Sequence, residues 1–266
     1  MTYSPTILVF DSGLGGLTVL REVVAARPDA HYVYVADDAF FPYGKHSEEV
    51  LVGRVVPLMA ELIETHAPDI VVIACNTAST IALPHLRARF TVPFVGTVPA
   101  IKPACSASRS KRVSVLGTEA TVKREYTRAL IRDFAQGCDV TLVGSAHLAA
   151  IAEAALHGTQ PADPDIAREL APCFVDGDGR RTDTVVLACT HYPLVLDSFA
   201  RLAPWPVDWI DPAPAIARRV TDLIGKPKEA ATGAARAIFT SGGRPSATLA
   251  GALAKFGLRD ALEAAG

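Results

Sequence analysis

Residues Asp69–Cys75 read DIVVIAC, and residues Asp183–Cys189 read DTVVLAC. Each stretch contains a run of β-branched and apolar residues, which is typical of a buried strand in a parallel sheet. Each run ends in a cysteine that is followed by polar residues. Ligands of open parallel sheets bind at the carboxyl ends of the strands. The repeat therefore predicts an α/β fold in which two equivalent strand ends each deliver one thiol.

Packing is the alternative explanation for each cysteine, because free cysteine is among the most buried residue types. The repetition favours a functional pair, since the same residue occupies the same strand-end position twice. Two thiols that face one substrate from opposite sides would supply the base and the acid that inversion of a carbon centre requires. Cys105, Cys138 and Cys173 lack this strand-end context and are interpreted as structural.

Short apolar runs alternate with amphipathic stretches along the chain, which is the pattern of βαβ units. Strands are predicted at Thr6–Asp11, Tyr32–Ala36, Ile70–Ala74, Pro93–Thr97, Arg112–Leu116, Val140–Gly144, Thr184–Ala188, Val207–Ile210 and Ala237–Phe239. Helices are predicted at Leu17–Ala26, Val122–Phe134 and Leu148–Leu156. A further long helix is predicted after Ser47, which suits its N-cap, and Pro57 favours a kink or a break within it.

The two repeated cysteines lie 114 positions apart, which is about one domain length. The chain is therefore predicted to form two similar parallel-sheet α/β domains related by pseudo-twofold symmetry, with the active site in the cleft between them. Residues 1–97 with 208–266 are expected to form the first domain, which carries Cys75, and residues 98–207 the second, which carries Cys189. The last two predicted strands are expected to return to the first sheet, with a loop over Gly225–Gly233.

Composition narrows the range of functions. Half of the 266 residues are hydrophobic and a fifth are charged, as in a well-buried globular enzyme. The net charge of −2, without a block of like charge, argues against a nucleic-acid partner. The apolar run Ile7–Phe10 is too short for a signal-peptide core, and no stretch approaches the length of a membrane span. Together with five scattered cysteines, these features predict a cytoplasmic protein with reduced thiols and no membrane partner.

A glycine-rich turn, Asp11-Ser12-Gly13-Leu14-Gly15-Gly16, follows the first predicted strand. Such a turn at the start of a helix offers backbone N–H groups to an anion. Its spacing differs from the dinucleotide fingerprint G-x-G-x-x-G, and the P-loop lysine is missing, so a substrate carboxylate is the favoured anion. The alternative is a tight turn that requires glycine for its dihedral angles.

Two further groups of residues follow strand ends. Asp37 closes the second predicted strand, and the turn Pro42-Tyr43-Gly44 is suited to lend a backbone amide to a small ligand. His191 comes two residues after Cys189 and is suited to orient or activate that thiol; a metal ligand and a surface histidine are the alternatives. The ligand set of a zinc site is incomplete here, so no metal is predicted. No lysine closes a predicted strand, so no pyridoxal cofactor is predicted either.

Four motifs, in this order, resemble those of the glutamate racemases, which belong to the cofactor-independent aspartate/glutamate racemase family. They are DSGxGG at Asp11–Gly16, PYG at Pro42–Gly44, CNTAS at Cys75–Ser79 and CTHYP at Cys189–Pro193. The resemblance extends from about Ile7 to about Val220. It implies an enzyme that interconverts L-glutamate and D-glutamate without a cofactor and supplies D-glutamate for peptidoglycan synthesis.

The resemblance also implies a role for each matching residue. Cys75 and Cys189 would be the acid/base pair, with Asp11 assisting Cys75, and with Glu153 and His191 assisting Cys189. The residues implied to hold the substrate are Asp11, Ser12, Pro42, Tyr43, Gly44, Asn76, Thr77, Thr190 and His191. Asp37 matches the family's aspartate before the PYG turn. An exposed helical glutamate is the alternative interpretation of Glu153.

Several alternatives stay open at this point. Aspartate and hydantoin racemases share the two cysteines and would differ in the length of the pocket. A non-catalytic amino-acid-binding protein would require the cleft and neither thiol. The segment Val98–Ala104 resembles the family members that a peptidoglycan precursor activates, and a proline-rich hinge between domains explains the same residues. A homodimer is a further expectation.

Overall fold

A computed structural model describes residues 4–135, 137–227, 233–258 and 262–264. Its strands are β1 (Thr6–Asp11), β2 (His31–Ala36), β3 (Ile70–Ile73), β4 (Phe94–Gly96), β5 (Arg112–Thr118), β6 (Asp139–Ser145), β7 (Asp176–Gly177), β8 (Arg180–Arg181), β9 (Thr184–Ala188), β10 (Asp208–Ile210), β11 (Ala235–Phe239) and β12 (Leu262–Ala264). Its α-helices are α1 (Leu17–Ala26), α2 (Glu48–His66), α3 (Asn76–Ile81), α4 (Leu83–Arg89), α5 (Ile101–Ala107), α6 (Glu119–Lys123), α7 (Glu125–Phe134), α8 (Leu148–Leu156), α9 (Asp163–Leu170), α10 (Leu196–Leu202), α11 (Ala213–Ile224) and α12 (Ala247–Lys255). Most of the loop predicted at Gly225–Gly233, residues 228–232, lies outside the described residues.

Two parallel sheets organise the molecule. The first has the strand order β12-β11-β2-β1-β3-β4, and the second has the order β10-β9-β5-β6. The order β2-β1-β3-β4 in the first sheet corresponds to β6-β5-β9-β10 in the second, so the two cysteine-bearing strands, β3 and β9, occupy equivalent positions. The predicted fold of two similar α/β domains is confirmed.

Each sheet has an apolar layer on both of its faces. Along β1, Ile7 and Val9 belong to one buried cluster and Leu8 and Phe10 to the other, as the two-residue period of a strand requires. The second sheet is packed in the same way on its two sides. Because both faces are covered, functional side chains can reach solvent only at the strand ends. Within the described residues, no helix is both long and apolar enough to cross a membrane.

One strand was assigned to the wrong sheet. The prediction that Val207–Ile210 returns to the first sheet is wrong, because β10 pairs in parallel with β9, with Asp208 opposite Thr184. The short α10 crossover places the next strand beside the one it follows. The chain instead returns with α11, whose buried face joins the core of the first sheet. We propose a domain boundary between β10 and α11 in place of the one at 207/208.

The predicted start of the long helix was correct, whereas the predicted breaks within helices were not. Ser47 caps α2 as predicted, its Oγ accepting a hydrogen bond from the Val50 amide. The helix then runs through Pro57 to His66 without a break. The helix predicted over Val122–Phe134 is two helices, because Arg124 adopts an extended conformation between them.

Candidate active site

Strand ends from both sheets meet at one cavity. Both repeated cysteines line it, and it contains about 310 Å³ of space not filled by atoms, part of which is open to solvent. The lining residues are Ser12, Phe41, Pro42, Tyr43, Gly44, Cys75, Asn76, Thr77, Thr118, Ala149, Cys189, Thr190 and His191. The cavity therefore collects residues from all four of the motifs singled out in the sequence.

Cys75 lies in a buried, negatively charged environment. Its side chain caps α3, and Sγ accepts a hydrogen bond from the Ala78 amide at 3.4 Å. The thiol lies 3.6 Å from the Ser12 hydroxyl, to which it donates. Burial, followed by the charge of Asp11, raises the pKa of the Cys75 thiol to about 12. This raised pKa favours a protonated thiol at Cys75.

Asp11 ends β1 beside Cys75 and is fully buried. Its Oδ2 accepts a hydrogen bond from the Gly16 amide at 2.8 Å. Its Oδ1 has no hydrogen-bond partner among the described residues. Burial raises the pKa of this carboxyl above its ordinary value. A carboxylate with a raised pKa and an unused oxygen is a suitable acceptor for a proton from a neighbouring thiol.

Cys189 is paired with a buried histidine. His191 places Nδ1 3.8 Å from the Cys189 Sγ and Nε2 2.7 Å from the Glu153 Oε2. Burial by itself would lower the pKa of His191, but the hydrogen bonds to Cys189 and Glu153 and the carboxylate charge raise it well above its ordinary value. When protonated, His191 can donate one proton to the Glu153 carboxylate and the other to a Cys189 thiolate.

Glu153 belongs to this site. It projects from α8, its side chain is 13% exposed, and its Oε2 also accepts a hydrogen bond from the Leu14 amide at 3.0 Å. The alternative interpretation, an exposed helical glutamate, is wrong. The carboxylate joins the second half of the molecule to the glycine-rich loop of the first.

The glycine-rich loop binds two carboxylates of the protein itself. Its amides at Leu14 and Gly16 donate to Glu153 and Asp11, while Ser12 of the same loop lines the cavity. A Cβ at Gly15 would overlap the His191 ring, and one at Gly13 would lie 2.9 Å from Glu153. Neither glycine has a positive φ. Glycine is required because the histidine and glutamate approach the backbone, not because of the turn's dihedral angles.

The PYG turn forms one wall of the cavity. Tyr43 is buried, and its hydroxyl donates a hydrogen bond to the Asp37 Oδ2 at 2.6 Å. The turn therefore offers its backbone and the ring of Tyr43 to the cavity, because the hydroxyl is already engaged. Asp37 lies behind Tyr43 and is not among the described residues that line the cavity.

The residues after each cysteine supply the remaining polar groups. Asn76 is 2% exposed, and neither its side-chain oxygen nor its nitrogen has a partner among the described residues. The Thr77 hydroxyl lies 3.3 Å from that of Thr118. The backbone carbonyl of Thr190 accepts a hydrogen bond from the Thr18 hydroxyl. Buried groups are normally hydrogen-bonded, so the unpartnered Asn76 amide beside the cavity points to a ligand.

Sequence reasoning missed three of the lining residues, Phe41, Thr118 and Ala149. Thr118 ends β5, which is the counterpart of β1. Phe10 pairs with Ile73 and Leu116 pairs with Leu187, so Thr118 occupies the position equivalent to Ser12. Extending the repeat from the cysteines to the other strand ends would have found it. Phe41, which packs against the His191 ring at 5.5 Å between centroids, and Ala149 carry no comparable sequence signal.

Comparison with known proteins gives consistent results. The model of the Asp/Glu/hydantoin racemase family matches residues 10–220. The chain is 57% identical over 239 residues to glutamate racemase from Sinorhizobium fredii, covering 89% of this chain and 90% of that protein. It is 58% identical over 219 residues to glutamate racemase from Brucella canis, covering 82% and 79% of the two chains.

A solved structure is similar over almost the whole chain. It is that of Escherichia coli glutamate racemase in complex with L-glutamate and the activator UDP-MurNAc-Ala. The two chains are 40% identical and superpose with a TM-score of 0.88, and the match covers 97% of each.

Proposed function

The chain belongs to the Asp/Glu/hydantoin racemase family, and from this premise we propose that it inverts glutamate between two thiols, those of Cys75 and Cys189. As an isomerase, it interconverts L-glutamate and D-glutamate. The observation that carries the two-thiol proposal is the position of the cysteines at equivalent strand ends on one cavity, each beside its own proton-handling group.

The two thiols lie in different surroundings. The His191 Nδ1 faces the Cys189 Sγ at 3.8 Å and is suited to stabilise a thiolate there, whereas burial and Asp11 raise the pKa of Cys75 and keep it protonated. This arrangement favours Cys189 as the base and Cys75 as the acid. In the direction that begins at L-glutamate, the Cys189 thiolate removes the α-proton from one face, and the Cys75 thiol donates its proton to the other.

The reverse direction requires a thiolate at Cys75. The Asp11 carboxylate accepts the Cys75 proton, and the α-ammonium group of the bound substrate brings a positive charge close to the Cys75 thiolate. The Ala78 amide at the start of α3 stabilises the thiolate. Cys75 then removes the α-proton of D-glutamate. Cys189 takes up a proton from His191 and donates it to the opposite face.

Preorganised donors stabilise the carbanion that forms between the two steps. Without an electron-withdrawing cofactor, this charge must be met by hydrogen bonds to the substrate carboxylate. The Asn76 amide, which has no protein partner among the described residues, and the hydroxyls of Thr77 and Thr190 are suited to this role. The amides of Tyr43 and Gly44 begin a single helical turn and are free of i−4 acceptors, so they are suited to the second carboxylate.

Solvent exchange tests the activity directly. Incubation with L-glutamate in deuterated water should replace the α-hydrogen with deuterium and produce D-glutamate. Retention of the α-hydrogen would leave an amino-acid-binding protein as the function. In a polarimetric assay, turnover of aspartate at a rate comparable with glutamate would overturn the substrate assignment.

We also propose that the product serves peptidoglycan synthesis and that a peptidoglycan precursor regulates the enzyme. UDP-MurNAc-Ala is the activator in the E. coli structure. In this chain, a separate cavity of about 810 Å³ lies at the linker between the two sheets, lined by Val98–Pro103 and by Arg219 of α11. Lys102 and Arg219 are cations suited to a diphosphate. A ligand between α5 and α11 would bias the relative positions of the two halves.

Titration with UDP-MurNAc-Ala tests the regulatory proposal. Addition should raise kcat/KM for glutamate, and Arg219→Gln should weaken the response without changing the basal rate. An unchanged rate at saturating UDP-MurNAc-Ala would overturn regulation and leave the racemase activity intact. The proposed homodimer is tested separately by light scattering of the purified chain.

A further inference from the structure

The wall of the cavity formed by Pro42-Tyr43-Gly44 is anchored to a buried carboxylate. Asp37 is fully buried and accepts four hydrogen bonds. Oδ1 accepts from the Arg54 Nη2 and the Thr240 Oγ1, both at 2.6 Å, and Oδ2 accepts from the Tyr43 Oη at 2.6 Å and the Arg54 Nε at 3.1 Å. Both oxygens are thus satisfied by donors from three separate segments of the chain.

Arg54 is the component of this network that carries the compensating charge. It projects from α2 and forms a bidentate ion pair with Asp37, while its guanidinium carbon lies 5.8 Å from the centre of the Phe40 ring. The bidentate geometry fixes the orientation of the carboxylate, and the guanidinium charge compensates the carboxylate charge. Burial would raise the pKa of the Asp37 carboxyl, but the hydrogen bonds from Arg54, Thr240 and Tyr43 hold it below its ordinary value.

The segment after β11 supplies the second support. The Ser241 amide and hydroxyl donate to Asp38 at 2.9 and 2.5 Å, and the Ala39 amide donates to the Thr240 hydroxyl at 3.3 Å. These bonds fix the beginning of the loop that carries the PYG turn. Thr240 is therefore connected to the cavity wall by two successive hydrogen bonds, from Thr240 to Asp37 and from Tyr43 to Asp37.

We propose that Arg54 is a positioning residue for racemisation, acting through Asp37 and Tyr43 to fix the Tyr43–Gly44 wall against the substrate. This inference rests on the proposed function, in which that wall binds a glutamate carboxylate. Arg54 itself does not line the cavity. Its effect is mechanical, because the Tyr43 ring, packed against Phe10 and Phe40, moves with its hydroxyl anchor.

Removing the guanidinium leaves a buried carboxylate without its cation. In Arg54→Gln, Asp37 either takes up a proton or moves toward solvent, and Tyr43 loses the fixed acceptor of its hydroxyl. Arg54→Lys retains the charge and loses the bidentate geometry. Contacts that are equally strong in the ground state and the transition state contribute mainly to KM. KM should therefore rise by about tenfold in the glutamine variant and by less in the lysine variant. The change in kcat should be smaller than the change in KM.

The test is the steady-state kinetics of both variants with L-glutamate and D-glutamate from pH 5.5 to 8.5. The matched control is Arg201→Gln, which breaks an equally bidentate ion pair, with Asp163, that is remote from the cavity. We expect unchanged KM in the control and raised KM in both Arg54 variants. We also expect a new acidic dependence of KM in Arg54→Gln, because Asp37 becomes titratable in this range.

Three results separate the outcomes. Loss of active enzyme with KM unchanged in the folded fraction would show a structural role only and overturn the proposal. Wild-type KM and pH dependence in both Arg54 variants would overturn it as well. Absence of racemisation by the wild-type chain would instead overturn the proposed function. The lysine variant retains a cation beside the buried Asp37, so it still tests the proposal if the glutamine variant does not fold.

Discussion

Replacement of Glu153 by glutamine removes one charge from a buried pair while preserving its shape. Glu153 and His191 are 2.7 Å apart, with side chains 13% and 3% exposed. Removing one member of a buried ion pair costs about 3–5 kcal/mol. The glutamine oxygen can still accept from the Leu14 amide, so we expect a smaller loss of unfolding free energy, about 2–3 kcal/mol.

The pH dependence of this loss identifies its cause. The folded pKa of His191 is raised above its ordinary value of 6.5, so the folded wild-type protein holds a proton that the unfolded chain releases above about pH 6.5. The stabilisation is therefore fully present below pH 6.5 and is lost as the pH rises through the folded pKa of His191. The difference between wild type and Glu153→Gln should shrink in that direction.

Urea unfolding at a series of pH values from 5.5 to 9 measures this difference. Glu125→Gln is the control, since Glu125 forms an exposed pair with Arg132 whose contribution should not exceed about 1 kcal/mol. Racemisation should fall at the same time, because the imidazolium beside Cys189 is no longer stabilised. A stability difference that stays constant over the whole pH range, or that matches the control, would refute the charged His191–Glu153 pair.

Three other predictions concern residues around the thiols. His191→Ala should lower the initial rate from L-glutamate more than that from D-glutamate, by about 10²–10⁴-fold, if Cys189 faces the L enantiomer as in the family; equal losses would indicate substrate binding alone. Asp11→Asn should show the opposite preference, and a symmetric effect on the two initial rates would contradict its role as the acceptor of the Cys75 proton. Gly15→Ala should abolish most activity because the new methyl group overlaps the His191 ring, whereas Gly53→Ala, on the open face of α2, should raise the unfolding free energy by about 0.5–1 kcal/mol; near-normal activity of the first variant would show that the ring can move.

The strand ends could be predicted because their signal is local. Each buried strand is marked by an apolar run, and a parallel sheet places all its carboxyl ends on one side. This was enough to predict that Asp11 and Cys75 lie at the same edge of the first sheet. That Cys189 faces the same cavity was predicted from the repeat of the cysteine-bearing stretch. The predicted bounds of β1, α1, α8 and β9 agree with the structure.

Strand pairing and contacts between residues far apart in the sequence could not be predicted from local patterns. The sheet to which β10 belongs depends on which strand it pairs with, and its short apolar run fits either sheet. The anchoring of Asp37 by Arg54 and Thr240 joins residues separated by up to 203 positions, which no local pattern encodes. The glycine-rich loop carries a clear signal, but the bond from its Leu14 amide to Glu153 joins residues 139 positions apart and could not be predicted from a local pattern.

The central claim, that two thiols act on opposite faces of one carbon, is tested most directly by the exchange of α-hydrogen in alanine variants. Both enantiomers of glutamate are incubated in deuterated water with Cys75→Ala and with Cys189→Ala, and deuterium incorporation and configuration are followed separately. Neither variant should racemise glutamate. Cys75→Ala should exchange the α-hydrogen of L-glutamate alone, and Cys189→Ala that of D-glutamate alone, each with retention of configuration. If either variant, folded and soluble, still racemises glutamate at a rate near that of the wild type, the two-thiol account is contradicted.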